Sequence, residues 1–313
     1  MIDQFARDVD QGLSKENKTI PSRYFYDKRG DELFVEIMKM PEYYLTDAEL
    51  EIFNNQTDAL IDSFEMNGEH FEVVELGAGD GLKVINLLRS LSGRDFTYAP
   101  IDISQNAIDK LGTRLLNEIP KLDFDGKQGE YFEVLDSLKD VGKKVILFLG
   151  SNIGNLTDSR AHRFMMKIAE SMEPHDKLLI GFDLKKDYDL IKNAYDDPHG
   201  YTREFNLNLL RRINSELGAD FNVGKFDHKP VYDDDNGVAL SYIESLTKQK
   251  VYIKATEKSY SFEAGEKIHT EISRKYDLQT IKKIAKNTGL VVKDTFFDSR
   301  KYFADVLFEK GTN

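Results

Sequence analysis

An apolar run, Phe71-Glu72-Val73-Val74-Glu75-Leu76, opens straight into Gly77-Ala78-Gly79-Asp80-Gly81, and a second run, Tyr98-Ala99-Pro100-Ile101-Asp102, follows it. Two short strands joined through a helix-length segment describe a βαβ unit. Glycines at the end of the first strand let the backbone turn sharply and approach a ligand where a Cβ would intrude. Asp102, at the tip of the second strand, is placed to accept hydrogen bonds from the two hydroxyls of a ribose. The pattern predicts an α/β domain with a nucleotide-type ligand over its first turn. The plainer alternative is a tight strand-to-helix turn with no ligand.

NAD and S-adenosylmethionine use the same geometry, so the motif alone does not choose between them. Two details favour the methyl donor. The glycines follow an acidic Glu75 at the strand end, and Leu82 stands where a full G-x-G-x-x-G would carry its third glycine, which disfavours a pyrophosphate turn.

With 313 residues the chain is long enough for one α/β domain carrying a substrate-binding insertion. A formal net charge of -12 disfavours nucleic acid and anionic membranes as partners and leaves a small substrate as the expected one. There is no cysteine, hence no disulfide framework, thiolate metal site or thiol nucleophile. The N-terminus mixes acids with short apolar positions, unlike a signal peptide, and no run approaches the ~18 apolar residues of a membrane span. These features predict a cytoplasmic protein, read here as a monomer.

Helices are expected at Asp31 to Met40 and Thr46 to Phe64, the second with Thr46 as N-cap and Glu49 completing a capping box. From Phe71 the pattern alternates: helix Leu82 to Leu91, strand Phe96 to Ile101, helix Ser104 to Ile119, strand Lys144 to Leu149, helix Ser159 to Met172, strand Lys177 to Phe182. Such alternation predicts a parallel sheet covered on both faces. After Asp183 it breaks into a long helix, Tyr201 to Leu217, and strands Val238 to Leu246 and Gln249 to Ala255, which read as an insertion. Helix Leu278 to Thr288 and strands Leu290 to Phe297 and Tyr302 to Phe308 return the chain to the sheet as an antiparallel edge.

Gly150-Ser151-Asn152-Ile153-Gly154-Asn155 follows the strand ending at Leu149, on the carboxyl edge where open α/β sheets bind ligands. Its amides offer donors and acceptors together, which suits a zwitterion. The alternative is a plain loop with Asn155 in left-handed geometry ahead of a helix cap at Thr157 or Asp158. Asp233-Asp234-Asp235 lacks the spacing of a calcium loop and the six histidines form no zinc motif, so no metal is assigned.

The chain resembles the histidine-specific N-alpha-methyltransferases of ergothioneine biosynthesis over nearly its whole length. The resemblance rests on Tyr24-Phe25-Tyr26-Asp27, Gly30 and Leu33-Phe34, Pro41-Glu42-Tyr43-Tyr44, Glu75 to Gly79, and Gly150 to Thr157. It continues in Ala194-Tyr195-Asp196-Asp197, Phe205-Asn206, and Gly265 to Ser273 with Lys275-Tyr276. It implies a Rossmann-like class I methyltransferase sheet with an inserted substrate-binding domain. The expected division gives residues 1–47 and 184–275 to that second domain, and residues 48–183 and 276–313 to the methyltransferase domain.

The resemblance further implies that Gly77, Gly79, Lys83, Asp102, Glu130 and Tyr131 hold S-adenosylmethionine. It gives Asn155 and Tyr195 the amino acid's α-amine and carboxylate, sets Tyr26 near the sulfonium, and makes Tyr26 and Asn155 the candidate catalytic pair. Tyr43, Glu271 and Ser273 would read the imidazole ring, with Ile272 counted beside them; residues 271 and 273 share one face of a strand. One departure stands out: Ser241 falls where the histidine enzymes commonly carry a methionine against the ring. The expected reaction is attack of a neutral α-amine on the donor methyl, with S-adenosylhomocysteine leaving, repeated as far as the trimethylated betaine. Competing readings are a relative that methylates another amino acid or small amine, an NAD-dependent dehydrogenase, and a binding module without catalysis.

Overall fold

The computed structural model describes residues 2–66, 68–79, 81–139 and 142–311. The chain divides into two units, one formed by Leu45–Lys185 with Lys275–Asn313 and the other by Met1–Tyr44 with Lys186–Arg274.

The first unit is built on a seven-stranded sheet. Its strands are β1 (Phe71–Leu76), β2 (Phe96–Asp102), β3 (Lys127–Gln128), β4 (Lys143–Phe148), β5 (Lys177–Asp183), β6 (Leu290–Phe297) and β7 (Phe303–Lys310). Across the sheet the order is β3-β2-β1-β4-β5-β7-β6. Strands β1 to β5 pair in parallel, and β7 runs antiparallel between β5 and β6. This is the order of the class I methyltransferase sheet. The two C-terminal strands close the sheet as the expected antiparallel edge, β7 against β5 and β6 outermost. Order reverses between β1 and β4, and at such a point the loops leaving the two strands part to form a crevice.

Alternate residues of the central strands feed two cores. Val74, Leu76, Ile146 and Phe148 face the helices Asp158–Ser171 and Leu278–Asn287, whereas Phe71, Val73, Val145 and Leu147 face Tyr44–Asn55, Ile85–Ser90 and Gln105–Glu118. Burial on both faces is why these strands read as continuous apolar runs instead of alternating ones. Each such side chain contributes about 1.5–3 kcal/mol on burial.

Several helix limits differ from expectation, each for a local reason. Asp27 caps the helix Lys28–Met38 by accepting from the Gly30 N–H at 2.7 Å, so that helix starts three residues early. The segment after Pro41 forms two helices, Tyr44–Asn55 and Thr57–Ser63, separated at Gln56. Thr46 lies inside the first of these and is no N-cap, and Glu49 is buried in the interior instead of closing a capping box. The helix after the glycine turn is confined to Ile85–Ser90.

In the second unit, Lys267–Arg274 is flanked by Lys18–Thr19 and Val238–Ser245, and Phe226–Asp233 completes a four-stranded sheet. Gln249–Ile253 and Lys258–Phe262 form a separate ribbon. The helix Tyr201–Leu217 matches its expected limits and packs on the sheet through Phe205, Leu209 and Ile213. Asp197 accepts from the backbone N–H groups of Tyr201 and Thr202 at the start of that helix, and these donors outweigh burial in holding its carboxyl below the usual range. A further helix, Tyr188–Tyr195, was not expected, and it carries Tyr195 on its last turn.

Candidate functional site

In the first unit the residues expected around the methyl donor gather at the carboxyl ends of β1 and β2. Gly77 has φ +74°, and a Cβ there would lie 2.7 Å from the Tyr131 hydroxyl oxygen. Only glycine suits both the backbone angle and the approach of that phenol. Gly79 and Gly81 also have positive φ, and a side chain on Gly81 would strike Leu111.

Asp102 ends β2, where its Oδ1 accepts from the Ser104 N–H at 2.7 Å and its carbonyl accepts from the Gly129 N–H. Gly129 delivers the chain to Glu130, the exposed N-cap of the helix Tyr131–Ser137. Desolvation first, then the charges of Asp102 and Glu130, push the Tyr131 phenol up to about 12. Gly77, Asp102, Glu130 and Tyr131 thus occupy one neighbourhood. A glycine floor, an acidic strand tip and an aromatic ring within it fit an adenosine better than a phosphate. Glu75 does not face that neighbourhood: it is buried below the glycine turn and accepts from the Tyr98 hydroxyl at 2.5 Å.

The second loop of the reversal follows β4. Gly150 and Ser151 are both left-handed, at φ +75° and +54°, and the turn Asn152–Asn155 comes next. The strained residue is Ser151, a position glycine would occupy at less cost, and Asn155 is not left-handed. Ser151 is held there because its buried hydroxyl accepts from the Asp183 N–H at 3.0 Å. Asn155 lies exposed at the end of the turn, and Thr157 precedes the helix Asp158–Ser171. Lys83 is 26% exposed and makes a 2.6 Å ion pair with Glu49.

The second unit carries the residues expected to read the acceptor. Glu271 lies opposite Ser241 in the strand ladder, and Ser273 opposite Ala239. The ladder skips Thr270 between His269 and Glu271, a β-bulge that shifts the strand's facing by one residue. As a result Glu271 and Ser273 share a face with Ser241, Ala239 and Ile268, whereas an unbulged strand would send them to the opposite side. Thr270 secures the bulge: its hydroxyl lies 2.9 Å from both Asn206 Oδ1 and the Ser241 carbonyl oxygen, with one proton to donate between them. Ile272 pairs with Leu240, and its side chain leaves the strand on the face away from residues 271 and 273.

Tyr26 follows the short helix Ser22–Phe25, with its ring edge-on to Phe34 and Phe205. It is 45% exposed, yet enough atoms surround its hydroxyl that desolvation, then the charges of Glu271 and Asp31, raise its ionisation above the ordinary tyrosine range. Tyr43 is half-buried against Phe34. Tyr44 is buried and its hydroxyl accepts from Lys186 Nζ at 2.9 Å, so of the two tyrosines it is the one committed to packing. Tyr195 is half-buried, and its carbonyl accepts from His228 Nε2 at 2.9 Å.

A family model described as histidine-specific, S-adenosylmethionine-dependent methyltransferase matches residues 5–310. The chain belongs to this family. It is 34% identical over 272 residues to a histidine N-alpha-methyltransferase of Mycolicibacterium smegmatis, covering 86% of this chain and 84% of that one. A protein of the same description from Mycobacterium tuberculosis is 35% identical, with 88% and 85% covered. Ergothioneine biosynthesis protein 1 of Schizosaccharomyces pombe is 30% identical over 74% of this chain and 31% of its own length.

The protein is thus an S-adenosylmethionine-dependent methyltransferase. Two residues of this methyltransferase escaped the sequence reading. Ile103, next to Asp102, is a large apolar side chain left 68% exposed at the strand tip; its only signal was an apolar residue between two polar ones. Glu49 stands at capping-box spacing from Thr46, which hides its place in the interior. Among the described residues no helix is long and apolar enough to cross a membrane, and no group of three or more acids and histidines is arranged to hold a metal.

Proposed function

We propose that this methyltransferase transfers methyl groups to the α-amino nitrogen of free histidine, as a step of ergothioneine biosynthesis. The observation that carries the reading is the face shared by Glu271, Ser273 and Ser241. A carboxylate accepts from one imidazole nitrogen and a hydroxyl satisfies the other, and both are left unpaired if a ring without nitrogens binds.

The cofactor supplies an electrophilic methyl on a sulfonium. In our reading Asp102 holds its ribose, Tyr131 and Glu130 its adenine, Gly77 and Gly79 the backbone path beneath it, and Lys83 and the loop from Gly150 its amino-acid end. Asn155 and Tyr195 bind the acceptor's amine and carboxylate, and Tyr43, Glu271 and Ser273 its ring. An ammonium has no lone pair, so the α-amine must lose its proton before it attacks. Tyr26, with a phenol that resists ionisation, is suited to a neutral hydroxyl's role beside that amine, as donor or acceptor. Positioning supplies most of the acceleration, since no covalent enzyme intermediate is needed. We further take the enzyme to act as a cytoplasmic monomer, consistent with its acidic, cysteine-free chain.

A second reading is favoured by one residue. Ser241 is small, buried and directly opposite Glu271, which leaves space and a hydroxyl where a methionine would pack. That supports an acceptor other than histidine, bearing a polar or larger side chain. Mass spectrometry of the protein incubated with S-adenosylmethionine and a panel of amino acids, including histidine, tyrosine and tryptophan, separates the two. Stepwise methylation of histidine alone is expected; methylation of another acceptor in its place would transfer the assignment to that acceptor.

A further inference from the structure

Beneath the two loops that border the strand reversal lies a carboxylate that none of the assigned roles uses. Glu49 is fully buried, on the helix Tyr44–Asn55. Its Oε1 accepts from the Gly150 N–H at 2.7 Å, and its Oε2 lies 2.6 Å from Lys83 Nζ. The Lys83 ammonium in turn sits where a side chain on Gly150 would be, 2.7 Å from an added Cβ. One carboxylate therefore joins the turn that follows β1 to the loop that follows β4. We propose that Glu49 is a positioning residue of the methyl-donor site, fixing Lys83 and the Gly150 loop in the arrangement that receives the donor.

The strands below are adapted to this carboxylate. Gly181 on β5 has no side chain where a Cβ would approach Glu49 Oε1 to 2.5 Å. Asp305 on β7 pairs with Gly181, so its side chain leaves the sheet on that same face. Both Asp305 oxygens are buried without a hydrogen-bond partner among the described residues. Glu49 Oε2 likewise lacks an aligned donor, since its contact with Lys83 is close in distance but not in hydrogen-bond direction. Two carboxyl groups side by side do not both ionise; desolvation and then the Glu49 charge raise the Asp305 carboxyl well above the carboxylate range, against the opposing pull of Lys83. Burial without hydrogen-bond partners thus favours the neutral form of Asp305.

This inference rests on the donor site of the preceding subsection, and the experiment separates the two. Titration of S-adenosylhomocysteine into wild type tests the site itself: absence of binding there overturns the donor site and this inference with it. If wild type binds, Glu49→Gln, which removes the charge at constant shape, is expected to weaken S-adenosylhomocysteine about 10- to 100-fold. It should raise KM for the donor far more than KM for the acceptor, and speed amide hydrogen exchange at Gly150. Asp305→Asn, which replaces one neutral group by another, should change that affinity by no more than about twofold. Should Glu49→Gln fold poorly, Glu49→Asp, which keeps the charge but shortens its reach to Lys83 and Gly150, gives the same test. Lys83→Met, which also removes a contact with the methyl donor, serves only in the double variant with Glu49→Gln. The double variant is expected to bind no more weakly than the worse single one. Unchanged affinity and exchange in folded Glu49→Gln, or additive losses in the double variant, would overturn the role.

Discussion

Glu271 faces Ser241 across two antiparallel strands because Thr270, one residue earlier, is bulged out of the ladder. The pairing sets a carboxylate against a small hydroxyl on the core-side face of the sheet, and removing the carboxylate tests what that face reads. Glu271→Ala should lower histidine affinity by about 10- to 100-fold, as expected for a lost charge-assisted hydrogen bond, and leave S-adenosylhomocysteine binding nearly unchanged. Calorimetric titration of each ligand decides; equal losses for both would exclude Glu271 as a reader of the acceptor.

The bulge itself depends on one hydroxyl. Thr270→Val keeps the branched shape but removes the hydroxyl beside Asn206 and the Ser241 carbonyl, leaving a buried acceptor unpaired. A stability loss of about 1–3 kcal/mol is expected in chemical denaturation. If the bulge aims Glu271, KM for histidine must rise as well, with KM for the donor unchanged. A stability loss with histidine KM intact would show that the bulge is architecture alone.

Gly77 should tolerate no side chain. Gly77→Ala forces a Cβ into the left-handed region and against the Tyr131 hydroxyl. The strain costs about 1–2 kcal/mol, while donor affinity should fall at least about tenfold because Tyr131 must move. Thermal unfolding with and without S-adenosylhomocysteine measures both; full ligand stabilisation in the variant would remove Gly77 from the donor site.

Two adjacent tyrosines should respond differently. Tyr44→Phe removes the acceptor of Lys186 and should cost about 1 kcal/mol of stability without altering histidine KM. Tyr43→Phe should raise histidine KM about fivefold at nearly constant stability, from one lost hydrogen bond. Steady-state kinetics of the pair would reveal a reversal at once.

Asp305 makes stability depend on pH in a definite sense. Its folded-state affinity for a proton exceeds that of the unfolded chain, whose carboxyl titrates near ~3.9. Below that value the two states bind equally. As pH rises above it the unfolded state ionises first, so the native state loses relative stability until Asp305 itself titrates. Asp305→Asn lacks this loss, and its stability advantage over wild type should grow from acidic to neutral buffer. Parallel pH profiles of the two proteins would show that Asp305 is ionised in the native state.

The central sheet was legible because its signal is local. Strands buried on both faces appear as runs such as Val145 to Phe148, and the intervening helices repeat on their own period. The ends of elements were less so. Thr46 and Glu49 have capping-box spacing, yet Glu49 is drawn into the interior by Lys83 and the Gly150 N–H, partners 34 and 101 positions away in the chain.

The sequence by itself determined the glycine turn, the acid at the next strand tip, the alternating α/β order and the membership of its family, because each resides in residue types at short fixed spacings. Tertiary structure alone decided that Thr270 leaves the ladder, that Ser151 and not Asn155 bears the left-handed strain, that Ile272 faces away from Glu271, and that Glu49 lies against Lys83 and Gly150. Those outcomes depend on strand register and on burying charged groups against distant partners. Both are fixed only when the whole sheet and its covering helices have closed around them.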